Sequence, residues 1–423
     1  MKRSTCIHRS ILMLVASLAC LILPAKTRAQ DLTGLYLTWS HDPATTMTIN
    51  WVDLYPKGTL QVFYRQLGSE GDWREVIASQ KTLAPSAMER RFIELTGLLP
   101  DTTYEFGIGK RPEKPNEGWR FRTMPADLSK RPVRFVAGGD MMHTRELVDA
   151  MNKIAGALEP DFALLGGDLA YEDGVRATRI AEWLESWMRF SVGADRRLIP
   201  MVVAIGNHEV RGGYGGKIPD DAMYFYGLFT LPDDRSYYAL DFGQYLSLIV
   251  LDSGHTQPFD GPQAQWLGTA LAARPQQQYV FPVYHYPAYG TTKAPENGTP
   301  LDAPRAIAIR QHWVPHFETF GVTGVFENDH HNYKRTVPIR KHKRNDANGI
   351  IYFGDGAWGV RTRDVPAPGT AWWLERAEER NHLWCVDLTA EGKATLRAID
   401  AKGEVFDEIT LDQARTPPES FSP

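Results

Sequence analysis

The sequence predicts an all-β sandwich followed by an α/β domain, and three observations carry that prediction. Residues 31–126 hold short β-rich runs at even spacing, broken by turn formers. Beyond the linker PADLSKRP, apolar runs of strand length alternate with helical stretches. Five of those later runs end in carboxylate, amide, phenol or imidazole side chains. The implied organisation is a leader over residues 1–29, a β domain over 31–126 and an α/β domain over 132–415.

In the leader, Lys2, Arg3 and Arg9 precede the apolar run ILMLVASLACLIL, and Thr27-Arg28-Ala29 offers a small-residue cleavage site. That order reads as a secretory signal peptide, because the apolar core is too short for a membrane span and stops at Pro24 and Lys26. The mature protein is expected to begin near Gln30, to be secreted or periplasmic, and to have no membrane attachment. The leader contains five basic residues and no acidic one, so its removal moves the formal net charge from −4 to −9. An acidic chain without a basic stripe is a poor nucleic-acid binder. Cys6 and Cys20 leave with the leader, and Cys385 alone cannot form an internal disulfide. Stability then rests on packing, for which 43% hydrophobic residues over 423 positions suffice.

The strands expected in the β domain are LYLTWS, TMTINWVD, LQVFYRQ, RRFIELTGL, TTYEFGIG and WRFRTM, with HDPATT, YPKG and LPDTT as turns. The stretch LTGLLPDTTYEF resembles the fibronectin type III sandwich, which implies Trp51 as a core aromatic and Tyr104 as the corner tyrosine. Both are packing residues in this reading, and the domain is expected to carry no chemistry.

In the α/β domain the helices are TRELVDAMNKIAGAL and TRIAEWLESWMRFSV, and the strands are read by their ends. VRFVAGGD reaches Asp140, FALLGGDLAY reaches Asp168 and Tyr171, and MVVAIGNHE reaches Asn207 and His208. YVFPVYHYP reaches His285, and GVTGVFENDHH reaches Asp329 and His331. Singly, a Gly-Gly-Asp or Gly-Asn-His after a strand is an ordinary turn. In open α/β sheets, however, ligands bind beyond the carboxyl ends of the strands, so these five ends can meet in one crevice.

Carboxylates, an amide, a phenol and imidazoles, without thiolates, are the ligand set of hard to borderline cations. Two carboxylates followed by amide and imidazole donors suit a dinuclear site, with one carboxylate bridging ions roughly 3.5–4 Å apart. Such a pair clamps a phosphoryl oxygen and activates a water. A phenol titrates near ~10, so a bound phenolate at Tyr171 calls for a strongly Lewis-acidic ion, and ferric iron fits better than zinc or magnesium.

Taken in order, Gly139-Asp140, GDLAY, GNHE, VYH and NDHHNYKRT resemble the motifs of the purple acid phosphatases, within the calcineurin-like metallophosphoesterase superfamily. The resemblance extends to YFYGLFTLP, SYYALDFG, LDSG and GPQAQWL, and so covers most of the chain. It implies an α/β domain of two sheets flanked by helices. It further implies that Asp140, Asp168, Tyr171 and His331 hold a first metal, Fe(III), with Asp168 bridging. Asn207, His285 and Asp329 would hold a second, divalent ion: iron, manganese or zinc. His208 would contact phosphate and protonate the leaving alkoxide, with Asn207 and His143 as further substrate contacts. The implied reaction is hydrolysis of a phosphorylated small molecule, a phosphate monoester, by a metal-bound hydroxide. The alternatives are a phosphodiesterase of the same fold, or a metal-altered, inactive relative that binds phosphate or serves adhesion.

Three departures from the family pattern stand out. Its last motif usually reads Gly-His-x-His, whereas Asn328-Asp329-His330-His331 places an aspartate at a ligand histidine; His330 is the competing donor. Met142 replaces the usual glycine after Asp140, with His143 following. No histidine lies between His285 and His312, where many relatives place phosphate-contacting histidines. The run GGYGGKIPDD, Gly212 to Asp221, is glycine-rich enough to move over the site.

Overall fold

Eight short strands form the first part of the chain in the computed structural model, which describes residues 32–53, 60–69, 71–114, 117–213, 217–292 and 303–412. The expected leader, and part of the glycine-rich run after Gly213, lie outside the described residues. One antiparallel sheet orders Gly34–Thr38, Met47–Asp53, Glu89–Leu95 and Ser79–Thr82; the other orders Arg74–Ile77, Gln61–Gln66, Thr103–Ile108 and Trp119–Arg122. The alternating apolar positions of both sheets meet in one sandwich core, where Trp51 and Phe106 are fully buried. Tyr104 accepts a 2.9 Å hydrogen bond from the Leu99 backbone N–H, which closes the corner expected of it. Two strands, Arg74–Ile77 and Ser79–Thr82, escaped the sequence reading because they are polar edge strands with almost no buried position to reveal a period of two.

The sandwich does not hang on a tether. A Cβ at Gly34 would collide with Leu184 of the helix Ala177–Phe190, so strand and helix pack as closely as backbones allow. Tyr36 donates to the Leu228 carbonyl at 2.6 Å and Ser40 to the Thr230 carbonyl at 3.1 Å. The buried Arg90 guanidinium spans the seam, donating to Asn50 Oδ1 at 2.6 Å, Thr230 Oγ1 at 2.8 Å and the Gly227 carbonyl at 3.2 Å.

The α/β part contains two mixed sheets. The first orders Met201–Val203, Phe162–Leu165, Val133–Gly138, His382–Leu388, Ala394–Asp400 and Val405–Leu411. Its first three strands are parallel, and the last three extend it antiparallel. The second orders Tyr238–Phe242, Leu246–Val250, Tyr279–Val283, Val325–Phe326, Tyr352–Gly354, Tyr333–Thr336 and Leu374–Glu378. The two sheets face one another across an aromatic layer: Phe135 lies 5.9 Å from Phe281 and 6.1 Å from Phe326, and Trp384 lies 5.0 Å from Phe353.

The helices Arg145–Ala157 and Ala177–Phe190 cover the first sheet, their apolar stripes carrying Val148, Met151, Trp183 and Trp187 inward. Thr144 caps the former by accepting from the Leu147 N–H. Among the described residues, no helix is long and apolar enough to cross a membrane.

Candidate metal centre

Four of the seven candidate donors, Asp140, Asp168, Tyr171 and Asn207, follow strands of the first sheet, and three, His285, Asp329 and His331, follow strands of the second. Asp140 follows Val133–Gly138, Asp168 follows Phe162–Leu165, and Asn207 opens the turn after Met201–Val203. His285 follows Tyr279–Val283, while Asp329 and His331 follow Val325–Phe326. All five of those strands run parallel to a sheet neighbour, so their carboxyl ends share one rim.

The backbone there is strained in a consistent way. Asp140, Asp168, Tyr171, Asp329 and His331 have φ of 57°, 53°, 55°, 76° and 62°, a left-handed region that non-glycine residues rarely occupy. Glu209, buried behind the rim, holds part of this shape by accepting from the N–H groups of Gly206 (2.7 Å), Leu169 (2.7 Å) and Asp168 (2.8 Å). Glycines wall the carboxylates: a Cβ at Gly356 would collide with Asp140 Oδ2, and one at Gly206 with Asp168 Oδ1.

The side chains converge. His331 Nε2 lies 2.9 Å from Asp140 Oδ1, and the Tyr171 hydroxyl lies 3.0 Å from that oxygen and 3.1 Å from His331 Nε2. His285 Nε2 lies 3.2 Å from both Asp168 Oδ2 and Asn207 Oδ1, and 3.7 Å from Asp329 Oδ1. One ligand atom each from Asp140, Asp168 and His285 falls within 4.8 Å of the others, which joins the two groups. The Asp329 N–H also donates to Asp140 Oδ2 at 2.8 Å. None of the seven residues is more than 5% exposed.

Burying three carboxylates in one place sets the electrostatics. Burial alone would lower the pKa of His285, but Asp168 and Asp140 outweigh it and push it up to about 10. Burial would raise that of Asp168, yet His285 and His208 hold it below the usual carboxylate range. Burial, then Asp140 and Asp168, push the Tyr171 phenol well above its ordinary value, so only a strong cation could take its proton's place. The donor set fits the metals implied by the sequence: oxygen and imidazole ligands, no thiolate, concentrated negative charge and glycine-lined space around the carboxylates.

Around this centre the geometry adds groups that the motifs did not single out. Asp173 Oδ1 lies 2.5 Å from His208 Nδ1, which leaves Nε2 facing the cleft, 3.9 Å from Asp168 Oδ2. The His208 ring stacks 4.3 Å from that of Tyr171 and stays one-third exposed. His143 also joins the cluster, 4.7 Å from the Tyr171 ring and 5.1 Å from the His331 ring, with Nδ1 accepting from the Arg361 N–H. His330 is held from its other side: Nδ1 accepts from the N–H groups of Thr291 and Thr292 and lies 3.2 Å from Asp355 Oδ2, while Nε2 lies 3.7 Å from Asp329 Oδ2. His255, which follows LDSG, packs its buried ring 5.5 Å from that of His285. Asp173 had no signal in the sequence beyond lying two residues after Tyr171.

Residues 32–123 match the model of the purple acid phosphatase N-terminal domain, and residues 133–326 match that of the calcineurin-like phosphoesterases. The second match ends before Asp329 and His331, whose place in the cluster rests on the geometry above. Two uncharacterized proteins of Mycobacterium tuberculosis are each 29% identical over 361 residues, covering 74% of this chain. The chain spans 64% of the length of those curated relatives. Among solved structures, a purple acid phosphatase from yellow lupin (Lupinus luteus) seeds superposes with a TM-score of 0.71 at 18% identity, covering 89% of this chain and 73% of its own. The GAP50 anchor of the Plasmodium inner membrane complex gives a TM-score of 0.50 at 13% identity, covering 67% of this chain and 90% of its own.

Proposed function

We propose, from the premise that the chain belongs to the calcineurin-like phosphoesterases and carries a purple acid phosphatase N-terminal domain, that it is a dinuclear-metal phosphatase acting on phosphate monoesters. The observation that supports this most is the coincidence of left-handed backbone and burial at five of the seven candidate donors. Strain of that kind costs roughly 1–3 kcal/mol per residue and persists where function requires the geometry. Asp140, Tyr171 and His331 would hold Fe(III), Asn207, His285 and Asp329 a divalent ion, and Asp168 both. When bound, the two ions would supply an activated water and neutralise charge on the phosphoryl group.

The remaining chemistry belongs to the chain. Asp173 fixes the His208 ring through Nδ1, so that Nε2 is the atom placed to give a proton to the leaving oxygen. Asn207 presents its amide beside His285, and Tyr171 shapes the wall against which His208 stacks. The order of charged, apolar and small residues in the leader supports export, and N-terminal sequencing of protein from the producing cell tests it.

The deciding experiment is metal analysis of purified protein, followed by assays of the metal-replete form with a chromogenic phosphomonoester and the matching diester. Two ions per chain and faster monoester cleavage are expected. A faster diester would make the protein a phosphodiesterase, and two bound ions without turnover of either would point to a binding protein. A colourless protein carrying stoichiometric ferric iron would remove Tyr171 from the ligand set.

A further inference from the structure

The mouth of the centre carries a cation that no motif announced. Arg363 lies beyond the strand Tyr352–Gly354, and its main chain is sewn to the loop bearing Asp329 and His331. Its N–H donates to the His331 carbonyl at 3.2 Å, and its own carbonyl accepts from Asn332 Nδ2 at 3.4 Å. The guanidinium is pinned as well: Nη1 donates to the Asp329 carbonyl at 3.1 Å, which places Nη2 3.4 Å from His331 Nε2. That nitrogen is the one that also touches Asp140 and Tyr171.

Among the described residues, no carboxylate side chain pairs with Arg363, whereas two arginines that follow Tyr171 do have carboxylate partners. Arg176 is paired with Asp173, and Arg179 lies 3.6 Å from Glu182. A half-buried guanidinium held by one carbonyl and a long contact to an imidazole, beside a cluster of carboxylates it does not pair with, has donors to spare for another anion. Once an ion occupies the His331 nitrogen, the weak 3.4 Å contact loses its acceptor. The freed N–H groups would then face an anion drawn to the centre. Arginine's planar fork matches the non-bridging oxygens of a phosphoryl group, and its charge favours a dianion over a monoanion.

We infer that Arg363 is a substrate-binding residue that grips the phosphoryl group from the first-metal side and tilts selectivity toward dianionic monoesters. The inference rests on the proposed phosphatase reading.

The test uses full-length, metal-loaded protein and the variants Arg363→Gln and Arg363→Lys, with inorganic phosphate as the probe. Titration calorimetry should show phosphate affinity falling roughly tenfold or more in Arg363→Gln, and less in Arg363→Lys, which keeps the charge and loses the fork. KM for the monoester should rise more than kcat falls, the diester should be affected least, and both variants should retain the wild-type number of ions. Unchanged phosphate affinity and an unchanged monoester-to-diester ratio, with the ions retained, overturn the inference. Loss of ions from both variants also overturns it, because Arg363 would then be a strap for the metal loop. Wild-type protein that holds its ions yet neither binds phosphate nor cleaves either ester overturns the parent reading and this inference together.

Discussion

The two halves of the centre are built to different tolerances. Around Asp140, Tyr171 and His331 the donors touch one another at 2.9–3.1 Å, so an ion must displace protons and prise them apart. Around His285 the spacings to Asn207 and Asp329 are 3.2 and 3.7 Å, and Asp329 brings a carboxylate beside the imidazole. The tight half should discriminate among ions, and it alone contains the phenol. The open half should accept several divalent ions, with its preference shifted toward harder ones by the anionic oxygen of Asp329.

The largest effect is expected where the halves join. Asp168→Asn removes a donor from each, and should lose most of both ions and nearly all turnover, as read by metal analysis beside the assay. A variant that keeps two ions and near-normal rate would falsify the shared-ligand geometry. Next comes Gly356→Ala, which drives a methyl toward Asp140 Oδ2 at a backbone φ of 69°. It should cost roughly 1–3 kcal/mol of stability and weaken the tight half first. An unshifted melting temperature with normal iron content would show that the wall around Asp140 can give.

A smaller, more selective change is expected at Asp329. Asp329→Ala should weaken the second ion and spare the first, while Asp329→His should tighten zinc relative to manganese. If neither variant alters the second site but His330→Ala does, the donor is His330, despite its bonds to Thr291 and Thr292.

The subtlest test concerns protons. With its folded pKa raised to about 10, His285 in metal-free protein is protonated across the neutral range and stabilises the fold there. That contribution is fully present below the ordinary histidine value of ~6.5 and is lost as pH rises through about 10. A binding ion must take the proton's place, so the affinity of the open half should rise with pH up to about 10. Calorimetry in buffers of different ionisation enthalpy should register proton release on loading, and none released at pH 8 would show His285 to be neutral already.

How much of this was legible in the sequence depended on whether a residue's role is local. Asp140, Asp168, Asn207, His285 and Asp329 could be picked out because each ends an apolar strand, and strand ends in such sheets face one rim. Family likeness implied two sheets, but which residue follows a strand of which sheet was not legible from their spacing. Asp173 could not be picked out, because its partnership with His208 arises only when two turns fold over each other. Arg363 reaches the site from a loop with no apolar period, tied by main-chain bonds that leave no trace in residue type. Similarly, the helices Arg145–Ala157 and Ala177–Phe190 were readable from their stripes, whereas the edge strands Arg74–Ile77 and Ser79–Thr82 bury too little to show any pattern.

The Arg90 seam has a consequence for how the chain melts. The buried Arg90 guanidinium, shared among Asn50, Gly227 and Thr230, joins the sandwich to the α/β part, and parting them would break these bonds and expose the apolar surface packed beside them. The sandwich and the sheets behind it are therefore expected to unfold together, and scanning calorimetry that resolves two separate transitions would show the seam to be dispensable. Trimming the chain to the α/β part is expected to bare that apolar surface and favour association of the fragment.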